Sequence, residues 1–231
     1  MNHKIPFAEA EMLIANFVNH PVLGDVARNK ALGGTIAKDS FQPQENPSTG
    51  LWSGKMGWYC WDTRLPHAYH PFFLAFEQFN HYDSTAVPGQ PGHDYLQVAN
   101  DQFTYVTGQN IGQLLLNQQQ AFSNPINQKV TKAEVIPFVH NFANNFPPYG
   151  SNSPFNTQPF GFFNNSPIGG GQCDWEAFIG QTGLQAIRYY FGYDSSEAVN
   201  KIRIILVGVD TYGKNMLTNT TNDLILERCD P

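Results

Sequence analysis

The sequence predicts an α+β protein with an antiparallel sheet, and three observations carry that prediction. The chain opens on apolar residues recurring at helical spacing. Aromatic-rich runs of strand length come in pairs separated by turn residues, and the order helix, glycine pair, short helix, hairpin occurs twice.

The first helix is expected over Phe7 to Asn19, where Ala10, Leu13, Ile14, Phe17 and Val18 form one face and Pro21 ends the run. A second, short helix is expected from Val22 to Lys30. Gly33-Gly34 then break the chain ahead of a short segment ending at Phe41, and a loop with Pro43, Pro47 and Gly50 follows. Gly57 to Trp61 and Pro71 to Phe76 read as an antiparallel hairpin with a long connection, because aromatic residues fit a pleated, half-buried surface. Further on, a Gln-rich stretch with Leu114, Leu115 and Leu116 predicts a helix near Gly112 to Phe122. Thr131 and Glu134 have capping-box spacing, so a helix is expected through Asn144, kinked or delayed by Pro137. Residues Asn145 to Gly171 hold too many breakers for regular structure, yet five phenylalanines there imply packing against the body. Asp174 to Gln181 reads as a short helix. Ala186 to Phe191 and Lys201 to Val209 read as two strands, the second half-exposed at Arg203 and buried from Ile204 onward.

The apparent repeat aligns Gly33-Gly34 with Gly170-Gly171, Asp39 with Glu176 by chemical type, Phe41 with Phe178, and Ala10-Glu11 with Ala133-Glu134. It predicts two divergent helix, short helix and β-hairpin units, residues 1–125 and 126–231, sharing one core as a pseudo-twofold unit.

At 231 residues with 41% hydrophobic content the chain can bury a substantial core. A net charge of −6 argues against a sequence-independent nucleic-acid binder, which concentrates Lys and Arg along a phosphate-tracking face. Apolar runs stay far short of the roughly 18 residues that span a bilayer, and Met1 to Pro6 leads into no signal-like segment, so a cytoplasmic protein without a membrane span is expected. Cys60, Cys173 and Cys229 suit reduced thiols better than a disulfide framework.

Three constellations could carry chemistry. Cys173 follows Gly169-Gly170-Gly171-Gln172 at a helix start, where a helix dipole favours the thiolate; with no histidine after it, only an upstream base such as His140 could serve. A buried, inert cysteine is the competing reading, favoured because the repeat places Ile36 opposite it. His67, His70 and His81 with Asp83, and His93 nearby, could hold a metal, but nothing in their spacing specifies ligands, and exposed loop histidines are the plainer reading. Trp58, Trp61, Tyr69 and Phe72 could form an aromatic binding surface or ordinary core; strand alternation separates Trp58 from Trp61 by face. No phosphate-binding glycine loop, hydrolase elbow or cofactor motif is present, so no cofactor is expected.

The segments Ala186 to Asp194 and Ile202 to Asn215, with Leu206-Val207-Gly208-Val209-Asp210 at their centre, resemble a group of small, uncharacterised proteins from Bacteroidota. The resemblance covers the final quarter and implies no activity or site residues. Members often end in Cys-Pro, whereas this chain ends Cys229-Asp230-Pro231. The resulting expectation is a non-catalytic module that binds a small molecule or a protein, with homo-oligomer formation a further expectation. The alternative is a cysteine-dependent hydrolase or transferase, or a metal-binding protein.

Overall fold

A computed structural model describes residues 4–21, 23–24, 32–38, 45–46, 50–51, 54–61, 72–79, 95–98, 110–117, 127–130, 132–145, 160–164, 174–196, 202–218 and 223–227. In chain order the elements are β1 (Lys4–Ile5), α1 (Phe7–Asn19), β2 (Gly33–Ala37), β3 (Glu45–Asn46), β4 (Gly50–Leu51), β5 (Gly54–Trp61), β6 (Phe72–Phe79) and β7 (Tyr95–Val98). They continue with α2 (Ile111–Leu116), β8 (Asn127–Val130), α3 (Lys132–Asn145), β9 (Phe160–Asn164), α4 (Asp174–Ile179), β10 (Ala186–Tyr193), β11 (Ile202–Val209) and β12 (Ile225–Glu227).

The α+β class is therefore observed, as mixed helix with antiparallel sheet. Two five-stranded antiparallel sheets hold the fold, a terminal sheet ordered β1-β12-β11-β10-β2 and a central sheet ordered β8-β7-β6-β5-β9. Each takes strands from both sides of residue 125, so neither half of the chain owns a sheet. Each sheet also centres on an eight-pair hairpin, β10 with β11 and β5 with β6, and the first five residues of β10 and of β5 pair with β2 and β9 respectively.

The two hairpins pack face to face. Side chains alternate across a strand, so Tyr59, Trp61, Phe72, Leu74 and Phe76 share one face of the central sheet, and Tyr189, Phe191, Ile202, Ile204 and Leu206 share one face of the terminal sheet. Between these faces Phe72 stacks on Phe191 with centroids 4.3 Å apart, and Phe76 meets Tyr189 edge-on at 6.2 Å. Buried aromatic pairs of this kind add about 0.5–1.5 kcal/mol beyond the area they bury.

Helices cover the sheets. The stripe Phe7, Ala10, Leu13, Ile14, Phe17 and Val18 predicted for α1 is buried, with Leu13 against Gly192 and Phe17 stacked on Phe191 at 5.5 Å. Backbone amides of Glu9 and Ala10 donate to the Pro6 carbonyl, starting the helix without a side-chain cap. Helix α3 keeps Pro137 exposed in its interior and packs its opposite side, through Val135, Val139 and Phe142, on the central sheet. Phe142 stacks on Tyr59 at 5.2 Å and on Phe72 at 5.5 Å.

Several expectations are corrected. Gly33-Gly34 do not interrupt the chain: they lie within β2, where Gly33 lets the backbone approach the Tyr189 carbonyl so closely that a Cβ would collide with it. The short helix expected after them is instead the rest of that strand up to Ala37. Within the breaker-rich stretch, Phe160–Asn164 forms β9, because its edge pairing to β5 supplies backbone partners that local composition does not reveal. Phe163 packs in the core at 1% exposure, as the phenylalanine content implied. Arg203 is buried rather than half-exposed, held between two carboxylates. Of the helix expected over 22–30, Leu23 and Gly24 are helical and the remainder lies outside the described residues.

Candidate functional site

The most constrained polar feature lies on the outer face of the terminal sheet. Arg188, Tyr190 and Gly192 share that face, and α1, α2 and the turn after β11 all pack over it, through Leu13 on Gly192, the Leu115 carbonyl on Tyr190 and Gly213 on Arg188. Arg188 is fully buried. Its Nε donates to Thr35 Oγ1 at 3.1 Å, a bond that β2 register permits because the two residues are direct partners. Its Nη1 donates to the Gly213 carbonyl at 3.2 Å and to Asn215 Oδ1 at 2.8 Å.

Asn215 extends the network. Its Nδ2 donates to the Leu116 carbonyl at 2.7 Å and to the Tyr190 hydroxyl at 2.6 Å, while that hydroxyl donates to the Leu115 carbonyl at 3.3 Å. Helix ends leave carbonyls without intrahelical partners, and a helix of six residues is marginal alone. Asn215 from the turn gives the Leu116 carbonyl a partner, and Tyr190 from the sheet adds a second donor at the Leu115 carbonyl, which also accepts the Asn117 amide.

The turn itself is closed from within. Asp210 Oδ1 accepts from the backbone amides of Tyr212 at 2.8 Å and Lys214 at 2.9 Å, and the Gly213 amide donates to the Asp210 carbonyl at 3.1 Å. Gly213 sits at φ 77°, where a side chain would be strained. Out of this fixed turn Tyr212 projects with 76% of its surface exposed. Met12 of α1 and Leu114 of α2 are the other large apolar side chains exposed among the described residues.

A second polar cluster sits at the hairpin end of β10 and β11. Arg203 pairs with Asp194 at 3.2 Å and with Glu227 at 3.1 Å, joining three stretches of chain. Burial opposes ionisation of Asp194, but hydrogen bonds from the Ser196 hydroxyl and amide and the charge of Arg203 outweigh it and hold the carboxyl below its ordinary range. Next to it His20, which closes α1, packs on Tyr193 with centroids 4.7 Å apart and accepts the Leu23 amide at Nδ1.

The residues singled out from sequence do not converge in one place. Trp61 and Phe72 are buried at 4% and 0% exposure and belong to the core between the sheets. Trp58 lies in β5 opposite Ala75 and Phe160. His140 is exposed on α3. Cys173, Tyr69, His67, His70, His81, His93 and Asp83 lie outside the described residues. Cys60, by contrast, is described: burial in β5 pushes its thiol far above the usual range, which leaves it an inert core residue. Among the described residues no three His, Cys, Asp or Glu side chains gather to hold a metal, and no helix is long and apolar enough to cross a membrane.

Sequence reasoning passed over Arg188, Tyr212 and Asn215. The signal for the turn is legible afterwards: Asp210 can close an Asx-turn onto the amide two residues on, and Gly213 suits the positive φ that follows. A buried arginine in a strand of aromatic residues has no such signature, because its partners come from distant segments. Comparisons of the chain with protein-family models, curated proteins and solved structures find no match.

Proposed function

We propose that this protein is a non-catalytic interaction module that grips a protein partner through Tyr212. One observation carries the reading: a large, amphipathic side chain stands 76% exposed on a turn whose backbone is tied down by Asp210, Gly213 and the buried Arg188. Binding costs include the ordering of loops and side chains, so an aromatic side chain already held on a fixed backbone meets a partner with less entropy to lose. Tyrosine is among the residues enriched at binding hot spots. Exposed Met12 of α1 and Leu114 of α2 offer further apolar surface. The proposal moves the binding surface away from Trp61 and Phe72, whose burial commits them to packing.

A photoactivatable residue placed at position 212 tests it in cells that naturally make the protein. The expected result is one discrete crosslinked protein, absent when the same probe replaces exposed Asn19 and competed away by excess unsubstituted protein. Equal crosslinking patterns at both positions would sink the reading.

A further inference from the structure

The orders of the two sheets become the same list when β8 is read for β1, β7 for β12, β6 for β11, β5 for β10 and β9 for β2. The registers agree as well. Both central hairpins pair over eight residues without a bulge, and both edge strands engage the first five residues of their neighbour. In the third ladder the pairs Ala75↔Gln97 and Phe76↔Leu96 occupy the positions of Ile205↔Glu227 and Leu206↔Leu226. Helix α1 follows β1 as α3 follows β8, one residue intervening in each case.

Packing repeats with the topology. Under this correspondence Phe17 on Phe191 becomes Phe142 on Tyr59, and the two stacks have centroids 5.5 and 5.2 Å apart at interplanar angles of 28° and 27°. Phe72 against Phe191 becomes Ile202 against Tyr59, and the Tyr59 hydroxyl indeed reaches the Ile202 carbonyl.

Aligned by these structural positions, the sequence shows identities that the glycine-pair alignment missed. Lys4, Ala8-Glu9, Asn16-Phe17 and Asn19 meet Lys129, Ala133-Glu134, Asn141-Phe142 and Asn144. Trp58, Tyr59 and Trp61 meet Tyr190, Phe191 and Tyr193, aromatic for aromatic, and the same spacing carried on in the sequence alone pairs Asp62 with Asp194 and Tyr82 with Tyr212.

We infer that the chain is a tandem duplication of one β-α-β arm plus three-stranded meander, with the arms exchanged: each copy's arm packs on the other copy's meander. The copies run from β1 to β7 and from β8 to β12. The arm β1-α1-β2 completes the sheet of β10, β11 and β12, and the arm β8-α3-β9 completes the sheet of β5, β6 and β7. Exchange of identical elements is a low-cost way to join two protomers, and here both protomers are in one chain. The device makes the halves mutually dependent, since both edges of each meander are covered by the other copy's arm. The inference stands on topology and register and is independent of any role for Tyr212.

Cysteine pairs read the exchange directly, because the Cα atoms of facing residues on antiparallel strands lie within disulfide reach. Ala37 faces Ala186, and the equivalent pair in the other sheet is Asn164 facing Gly54. Without exchange, Ala37 would face Gly54 instead. In full-length protein carrying Cys173→Ser and Cys229→Ser, A37C/A186C and G54C/N164C are expected each to close an intramolecular disulfide, identified by mass mapping of linked peptides, while A37C/G54C stays reduced. Closure of A37C/G54C in place of A37C/A186C would overturn the exchange, and closure of only one of the two equivalent pairs would overturn the symmetry. Should G54C prevent folding, interstrand NOEs between residues 37 and 186 and between 54 and 164 in the unsubstituted chain report the same pairings, and their absence has the same consequence.

Discussion

The Tyr59 hydroxyl donates to the Ile202 carbonyl at 2.9 Å, a buried bond that crosses from the central sheet to the first residue of β11 in the terminal sheet. It sits beside the ring stacks that Tyr59 makes with Phe72 and Phe142. Tyr59→Phe keeps the ring and removes the donor. A neutral hydrogen bond contributes about 1 kcal/mol net, and the stranded carbonyl adds to the loss, so urea unfolding should show a destabilisation of about 1–2 kcal/mol. Because the Phe72–Phe191 and Phe76–Tyr189 ring contacts still join the sheets, the variant should unfold in one transition, with circular dichroism and aromatic fluorescence changing together. Two separated transitions would show that the sheets do not fold as a unit.

Arg188 should matter more. Replacing it with Met preserves an unbranched, flexible chain but leaves Thr35, the Gly213 carbonyl and Asn215 without the donors they now meet in the core. Removing one member of a buried polar network strands the others, and a loss of about 3 kcal/mol is expected in chemical denaturation. Hydrogen exchange gives the specific readout. Protection should fall first at the Tyr212, Gly213 and Lys214 amides, ahead of the hairpin amides of β10 and β11; uniform loss across the sheet would show that Arg188 stabilises only globally.

How much of this was legible in the sequence depends on where each element finds its partners. Helix α1 was readable to the residue because its apolar stripe and Pro21 are local signals, and the β5–β6 and β10–β11 hairpins were readable because clustered aromatic and β-branched residues fill both faces of buried strands. The strands β1, β7, β8, β9 and β12 are short edge or near-edge strands of two to five residues. Their strand character comes from a neighbour far away in the chain, which no local window contains. The glycine pairs were a misleading signal for local structure: Gly33-Gly34 read as a break but lie inside β2, where pairing with β10 holds them, and Gly170-Gly171 lie outside the described residues. Arg188 and Arg203 illustrate the limit for sites: both look like solvent-facing positions in a strand, and both are buried because carboxylates, carbonyls and amides from other elements surround them.

Asp194 predicts a pH dependence with a definite sign. Its folded-state carboxyl is held below its ordinary value by Ser196 and Arg203 against the opposing effect of burial. The unfolded state therefore takes up a proton at higher pH than the folded state does. The ion pair's contribution is present above the ordinary Asp range, near about pH 4, and is lost as pH falls through the folded value. Asp194→Asn should lower stability at neutral pH by about 1 kcal/mol and flatten the acid limb of the stability curve relative to the parent. An unchanged acid slope in the variant would show that other carboxylates, such as Glu227, set it.

Gly112 fixes how α2 meets α1. A Cβ at position 112 would collide with the backbone carbonyl of Glu11, and backbone cannot rotate away as a flexible side chain can. Gly112→Ala raises intrinsic helix propensity by about 1 kcal/mol, so an isolated helix would gain from it. In the folded protein the clash must be relieved by moving α2, which stretches the bonds from Asn215 to the Leu116 carbonyl and from Tyr190 to the Leu115 carbonyl. Overpacking of this kind costs about 1–3 kcal/mol, more than the propensity gain. Net destabilisation is expected, with faster exchange at Asn117, whose amide donates to the Gln113 and Leu115 carbonyls at the end of α2. A variant more stable than the parent would mean that α2 packs on α1 loosely enough to retreat, and that the buried Asn215 network does not hold the helix in place.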